Sequence, residues 1–188
     1  MPESFEVFDA QNQPLGYVKE RHLVHREGDW HRTAQVYVLN AQRELLCNLR
    51  HPNKDVFASL WDVCIGGHLA PGETYLDGAV REMGEELGVP LQAGDLSFVG
   101  HVSINGGDAV KQLFDREHAG VFVWRTDRPA GDFNYQREEI TRLAFFPLEE
   151  VRRSLNVGNP DVPFIPLRET YLRILDLVEK KIGQCPEK

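Results

Sequence analysis

Residues 67–89 read Gly67-His68-Leu69-Ala70-Pro71-Gly72-Glu73-Thr74-Tyr75-Leu76-Asp77-Gly78-Ala79-Val80-Arg81-Glu82-Met83-Gly84-Glu85-Glu86-Leu87-Gly88-Val89. Leu76, Ala79, Val80, Met83 and Leu87 recur at helical spacing, which predicts an amphipathic helix over 74–87 with its apolar stripe on a core. Pro71-Gly72 precedes it, and Gly88 stands where a left-handed C-cap belongs. Glu73, Asp77, Glu82, Glu85 and Glu86 surround one base, Arg81. Glu82, Glu85 and Glu86 fall at i, i+3 and i+4, so they share a helix face. Like charges at that spacing repel by about 0.2–0.5 kcal/mol per pair. Three clustered oxygen donors suit a hard cation such as Mg2+, which keeps waters for phosphate oxygens. The face opposite the stripe is expected to aim these carboxylates outward.

Around this segment the chain reads mostly as short strands. Residues 5–8 alternate like a strand, 9–14 are turn-rich, and 15–18 return. Residues 24–30 read as a loop holding Gly28. Strands are expected over 33–39, 44–49, 60–65 (ending in Gly66-Gly67), 96–102, 120–124 and 143–146. Pro147 to Glu150 opens a short helix, and 170–182 forms an amphipathic helix with Leu172, Ile174, Leu175, Leu177 and Val178 as its apolar set. This mixture predicts an α/β fold with helices packed on a mixed sheet. Residues 1–30 are expected to form an extension, a strand hairpin and a loop, packed on a domain of residues 31–188 that ends in the C-terminal helix.

The 188-residue chain is long enough for one domain with a sizeable core. Its 29 acids against 21 bases give a net charge of -8, which argues against a general nucleic-acid or anionic-membrane binder. Phosphate substrates remain open, because bound divalent cations can hold them. Charged and turn residues break every apolar run well short of the ~18 residues a membrane span needs. Met1-Pro2-Glu3-Ser4 shows no leader pattern. Cys47, Cys64 and Cys185 are an odd count with no zinc spacing, so a reducing, cytoplasmic setting is expected.

The pattern is Gly, five residues, Glu, seven residues, then Arg-Glu-apolar-any-Glu-Glu-any-Gly-apolar. Chance agreement at nine such positions lies far below roughly one in a million for ordinary residue usage. Gly67 to Val89 resembles the complete Nudix box. The resemblance implies an α/β/α sandwich with a mixed central sheet and Mg2+-dependent cleavage of a diphosphate, with Mn2+ as the other candidate ion. Glu82, Glu85 and Glu86 match the metal-binding glutamates, Arg81 and Glu73 the pair tying helix to loop, and Gly67 and Gly88 the loop and helix-end glycines.

Tyr17-Val18-Lys19, the run His25 to Arg32, Lys54-Asp55, Trp61-Asp62-Val63 and Gly66-Gly67-His68 are similar to the isopentenyl-diphosphate-isomerase-like branch. In those isomerases two upstream histidines, the histidine of a Cys-Gly-His motif and two late acids bind a metal. The matching positions are His25, His31, His68, Asp115 and Glu117, the first two being closer together by one residue. Arg50 and Lys54 match basic positions that contact diphosphate there. The catalytic cysteine of the isomerases precedes the Gly-His pair, and here that position is Gly66. Cys64 is displaced by about 6–7 Å along an extended strand, too far for a transfer that needs an approach of about 3 Å. It reads as a small buried apolar residue.

Hydrolysis of a nucleoside diphosphate derivative or related small diphosphate is therefore the leading expectation. A carboxylate (Glu85 or Glu86, with Glu117 and Glu139 as alternatives) would take the proton of the attacking water. A prenyl-diphosphate isomerase and a catalytically silent Nudix-fold binding module are the competing readings. Trp30, Phe57, Trp61 and Tyr75 are candidates to stack on the substrate or to pack the core. The only partner expected is the substrate, with monomer and homodimer both open.

Overall fold

The computed structural model describes residues 3–54, 56–108 and 113–184; Asp55 and Cys185 lie outside them. The chain runs β1 (Ser4–Phe8), β2 (Pro14–Glu20), α1 (Arg21–Glu27), β3 (Trp30–Leu39), β4 (Glu44–Arg50), β5 (Trp61–Asp62), β6 (Ile65–His68), α2 (Tyr75–Leu87), β7 (Ser97–Asp108), β8 (Leu113–Arg125), β9 (Ile140–Pro147), α3 (Leu148–Val157) and α4 (Arg168–Gln184). Strand β3 organises the sheet. It pairs in parallel with β8 along its whole length and antiparallel with β6, β4 and β1. β7 pairs with β8, β9 and β5 with β4, and β2 with β1. The sheet is mixed, as expected, and the fold is α/β.

Because β3 and β8 lie inside the sheet with helices packed on both faces, Ala34 to Leu39 is a continuous apolar run apart from Gln35. One core, with Val36, Val38, Ile65 and Phe122, lies under α2; the other, with Tyr37, Leu39, Val121 and Val123, lies under α3 and α4. In α2, Ala79, Met83 and Leu87 are fully buried, at i, i+4 and i+8. The Thr74 hydroxyl accepts from the Asp77 amide at 3.2 Å as N-cap, and Gly88 closes the helix at φ 66. In α4 the buried face is Tyr171, Ile174, Leu175 and Val178, so Tyr171 joins the expected set and Leu172 and Leu177 sit at its margins.

Two expectations are corrected. Residues 21–27, within and ahead of the expected loop, form α1, which ends on left-handed Gly28 with its N–H donating to the Val24 carbonyl. Its single buried residue, Val24, leaves no periodic signal in so short a helix. The strand expected over 60–65 is split: Trp61–Asp62 pairs with β4, and the chain then crosses so that Ile65–His68 pairs with β3, glycines included.

Leu87 anchors α2 at its C-terminal end and is 0% exposed. Leu87→Ala is expected to cost about 2–5 kcal/mol, read from urea unfolding.

Candidate functional site

Arg81 fixes the loop before α2. Its Nε and Nη2 donate to the two oxygens of Glu73 at 2.8 and 3.0 Å, and Nη2 also donates to the His68 carbonyl at 2.9 Å. Nη1 donates to Glu82 at 2.8 Å and Glu85 at 2.9 Å. Glu73 in turn accepts from the Ala70 amide at 2.9 Å. The helix thus meets strand β6 at close range: a Cβ on Gly67 would lie 2.6 Å from a Glu82 oxygen.

The carboxylate face does not point to open solvent as expected. Glu82 and Glu86 line a cavity of about 960 Å³, with Glu85 at its exposed rim. α2 packs on β6 and β3, which brings this face to the cavity. Burial, with Glu82 beside it, pushes the Glu86 carboxyl up to about 8, and burial also raises Glu82.

Strand register gathers a second group. Glu117 on β8 lies opposite His31 on β3, and His68 on β6 lies opposite Thr33. Asp115, two residues before Glu117, faces the same way, and α1 supplies His25. The imidazole centroids are 5.1, 5.2 and 5.1 Å apart for the pairs 25–31, 25–68 and 31–68. Ligand atoms of His25, His31, His68 and Asp115 all lie within 4.8 Å of one another. Donors about 2.1 Å from a tetrahedral ion stand about 3.4 Å apart, so a modest contraction would close the set on one ion. Of the two late acids that the resemblance named, Asp115 is the one whose oxygen joins the three imidazoles at this range. The Glu117 carboxylate sits just beyond, 3.8 Å from His68 Nε2, and accepts from the Thr33 hydroxyl at 3.2 Å.

The donor chemistry fits a cation. The Asp29 carbonyl, which can only accept, stands 3.1 Å from His31 Nδ1, so that nitrogen carries the proton and Nε2 turns its lone pair toward Asp115 Oδ1 at 3.8 Å. Burial holds His31 down at about 4 and His68 well below the usual imidazole range, so both are neutral. His31 Nε2, His68 Nε2 and Asp115 Oδ1 are buried with no hydrogen-bond partner among the described residues, a state that buried polar atoms rarely keep. Phe5 of β1, which the sequence did not single out, stacks on His31 at 5.2 Å and on His68 at 4.4 Å and closes the group from outside.

Of the remaining candidates, Arg50 lines the cavity, with Nη2 donating to the Val56 carbonyl at 3.2 Å and Nη1 3.5 Å from Asp62. Lys54 and Glu139 form an ion pair with each other. Phe57 also lines the cavity. Trp61 is buried against Phe146, Trp30 stacks on His118, and Tyr75 packs on His101 with its hydroxyl at Asn12, so these three rings serve packing. Cys64 is buried and its thiol pushed well up. At the position of the isomerase cysteine, Gly66 has φ 152, and a Cβ there would lie 1.9 Å from the Ala34 carbonyl oxygen.

A family model for the NUDIX domain matches residues 29–167. The chain belongs to the Nudix family. Among its relatives, Nudix hydrolase 3 from Arabidopsis thaliana is 29% identical over 95% of this chain, which spans only 24% of that protein's length. An isopentenyl-diphosphate Delta-isomerase from Halorhodospira halophila is 32% identical over 69% of this chain and 74% of its own. The crystal structure of DR0079 from Deinococcus radiodurans superimposes with a TM-score of 0.72 at 22% identity, covering 91% of this chain and 98% of its own, so the two share a fold. No helix among the described residues is long and apolar enough to cross a membrane.

The Glu86 shift predicts a pH signature. Folded, the carboxyl holds its proton to about pH 8; unfolded, it releases it near 4.5. The folded state therefore binds more protons between these values, and Glu86 lowers stability as pH rises through that window. His31, held at about 4, acts at the acid end, where stability falls as pH drops from 6.5. In EDTA, Glu86→Gln is expected to be more stable than wild type by about 1 kcal/mol or more at pH 8.5, with the advantage gone at pH 4.5. Urea titrations at the two pH values check this.

Proposed function

We propose that the protein hydrolyses a diphosphate linkage in a nucleoside diphosphate derivative or related small diphosphate. The observation that carries this reading is the pair Glu82 and Glu86, which line one cavity, where burial raises the proton affinity of both and the Glu82 charge adds to that of Glu86. Such a pair is costly alone and is stabilised by a divalent cation. Glu82 and Glu86, with Glu85 at the rim, would hold Mg2+ or Mn2+; His25, His31, His68 and Asp115 would suit a transition cation. A bound cation supplies positive charge against the diphosphate oxygens.

The chain's own groups do the rest. Arg50 and Lys54, which line the same cavity, draw in the phosphates. Arg81 holds Glu82 at its station through the tie to Glu73. The proton of the attacking water goes to a cavity carboxylate, Glu86 or Glu117. Glu85 is exposed and bonded to Arg81, and Glu139 carries Lys54, so both are poorer bases.

An isomerase reading is favoured by the histidine group and the Halorhodospira relative. Against it stand Gly66, where a cysteine side chain has no room, and Cys64, whose thiol is buried and held protonated. A silent binding module would have no use for the strained Glu82–Glu86 pair.

A panel of nucleoside and small-molecule diphosphates assayed with Mg2+ or Mn2+ for phosphate or monophosphate release tests the proposal. No turnover on any of them, or interconversion of isopentenyl and dimethylallyl diphosphates, would overturn it. Glu86→Gln should lower hydrolysis by about 10²-fold or more, the loss of a few kcal/mol of transition-state stabilisation.

Cys64→Ala should stay within a few-fold of wild type in the same assay. A loss of activity with the fold intact, seen by circular dichroism, would point to a thiol mechanism.

A further inference from the structure

Arg50 is held at the cavity wall by a chain of contacts that begins on the last helix. Asp62, on β5, is its anionic neighbour. One oxygen of that carboxylate is filled: Oδ1 accepts from the Val63 amide at 2.8 Å and from the Tyr171 hydroxyl at 2.8 Å, with the Cys64 thiol at 3.8 Å. The other, Oδ2, faces Arg50 Nη1 at 3.5 Å. On its far side the guanidinium is fixed by the Val56 carbonyl, and Arg50 Nε is buried with no hydrogen-bond partner among the described residues. The clamp therefore uses two edges of the guanidinium lightly and leaves donors over. A buried guanidinium donor without an acceptor is costly, so this partly open side chain, incompletely satisfied by the protein, favours an anionic oxygen arriving from the cavity.

Tyr171 is 3% exposed, and burial keeps its phenol protonated, so it remains a donor. It belongs to α4, beyond the residues 29–167 that match the family model. Asp62, Arg50 and Tyr171 all line the same cavity as Glu82 and Glu86.

We propose that Asp62 is a positioning residue for substrate binding: anchored by Tyr171, it aims the Arg50 guanidinium at the diphosphate, so that the C-terminal helix sets the phosphate grip. This rests on the diphosphate reading above. Asp62 does not touch the substrate and acts through Arg50. Its negative charge would repel a bare diphosphate, so a role in orientation and a role in mere repulsion predict opposite signs.

The test uses the full chain with a diphosphate substrate from the panel and, separately, Mg2+ with methylenediphosphonate as a non-hydrolysable probe in calorimetry. Asp62→Asn keeps the shape and removes the charge; Tyr171→Phe removes only the hydroxyl and is the variant to rely on if Asp62→Asn fails to fold. Expected are a KM raised about 10-fold in Asp62→Asn and about 3-fold in Tyr171→Phe, kcat within about 3-fold, and matching losses of diphosphonate affinity. In Asp62→Asn/Arg50→Gln the KM should equal that of Arg50→Gln alone, because the first change acts only through the second. Unchanged KM and diphosphonate affinity in both single variants, a lower KM in Asp62→Asn, or additive losses in the double variant would each overturn the proposal. If wild type hydrolyses nothing yet binds the diphosphonate in an Asp62-dependent way, hydrolysis fails while the positioning role stands. If it does neither, both fail.

Discussion

Arg81 is the constraint on which the site depends. A guanidinium has five N–H groups in a rigid fork, and here they meet both oxygens of Glu73, the His68 carbonyl, Glu82 and Glu85. Two of these partners lie in the strand–loop segment before α2 and two on α2 itself. One planar group therefore sets the distance and angle between β6 and the helix. That fixed approach leaves no room for a side chain at Gly67 and puts Glu82 against the strand. Lysine, with a single point of charge on a flexible stem, could not make the same set of contacts.

Once that approach is fixed, charges have to be buried. Glu82 and Glu86 line the cavity, and His25, His68 and Asp115 of the histidine group line it too. Neither arrangement stabilises the folded chain by itself. Both are held because the surrounding structure over-determines them: two cores clamp the sheet, β3 has partners at both edges, and Phe5 caps the histidines. Free energy from apolar burial elsewhere offsets the cost of holding these polar groups together.

The parts outside the box segment complete the cavity. β1 brings Phe5 and α1 brings His25, while α4 brings Tyr171 to Asp62. The Lys19 ammonium sits between Glu27 and Asp29, on either side of Gly28, and so ties β2 to the turn that separates His25 from His31. The chain's two ends are thus drawn into the site although the family pattern lies between them.

How legible all this was in the sequence depends on how local the cause is. The helix over 75–87, its Thr74 and Gly88 ends, the shared face of Glu82, Glu85 and Glu86, and the Arg81–Glu73 pairing follow from spacing along one segment, because helical geometry repeats every 3.6 residues. The resemblance to the Nudix box carried the fold, and the histidines could be named through it. The sequence could not tell that α1 is a helix, since one buried valine makes no period. Nor could it tell that the run 60–65 splits between two partners, since pairing is decided across strands. The inward turn of the carboxylate face, the meeting of Asp115 with the three histidines, and the reach of Tyr171 to Asp62 all depend on register between segments up to 109 residues apart. Local chemistry determined which residues are able to bind a cation or a phosphate; only the packing of β3 against β8 and β6, and of α4 against the sheet, decided which of them meet.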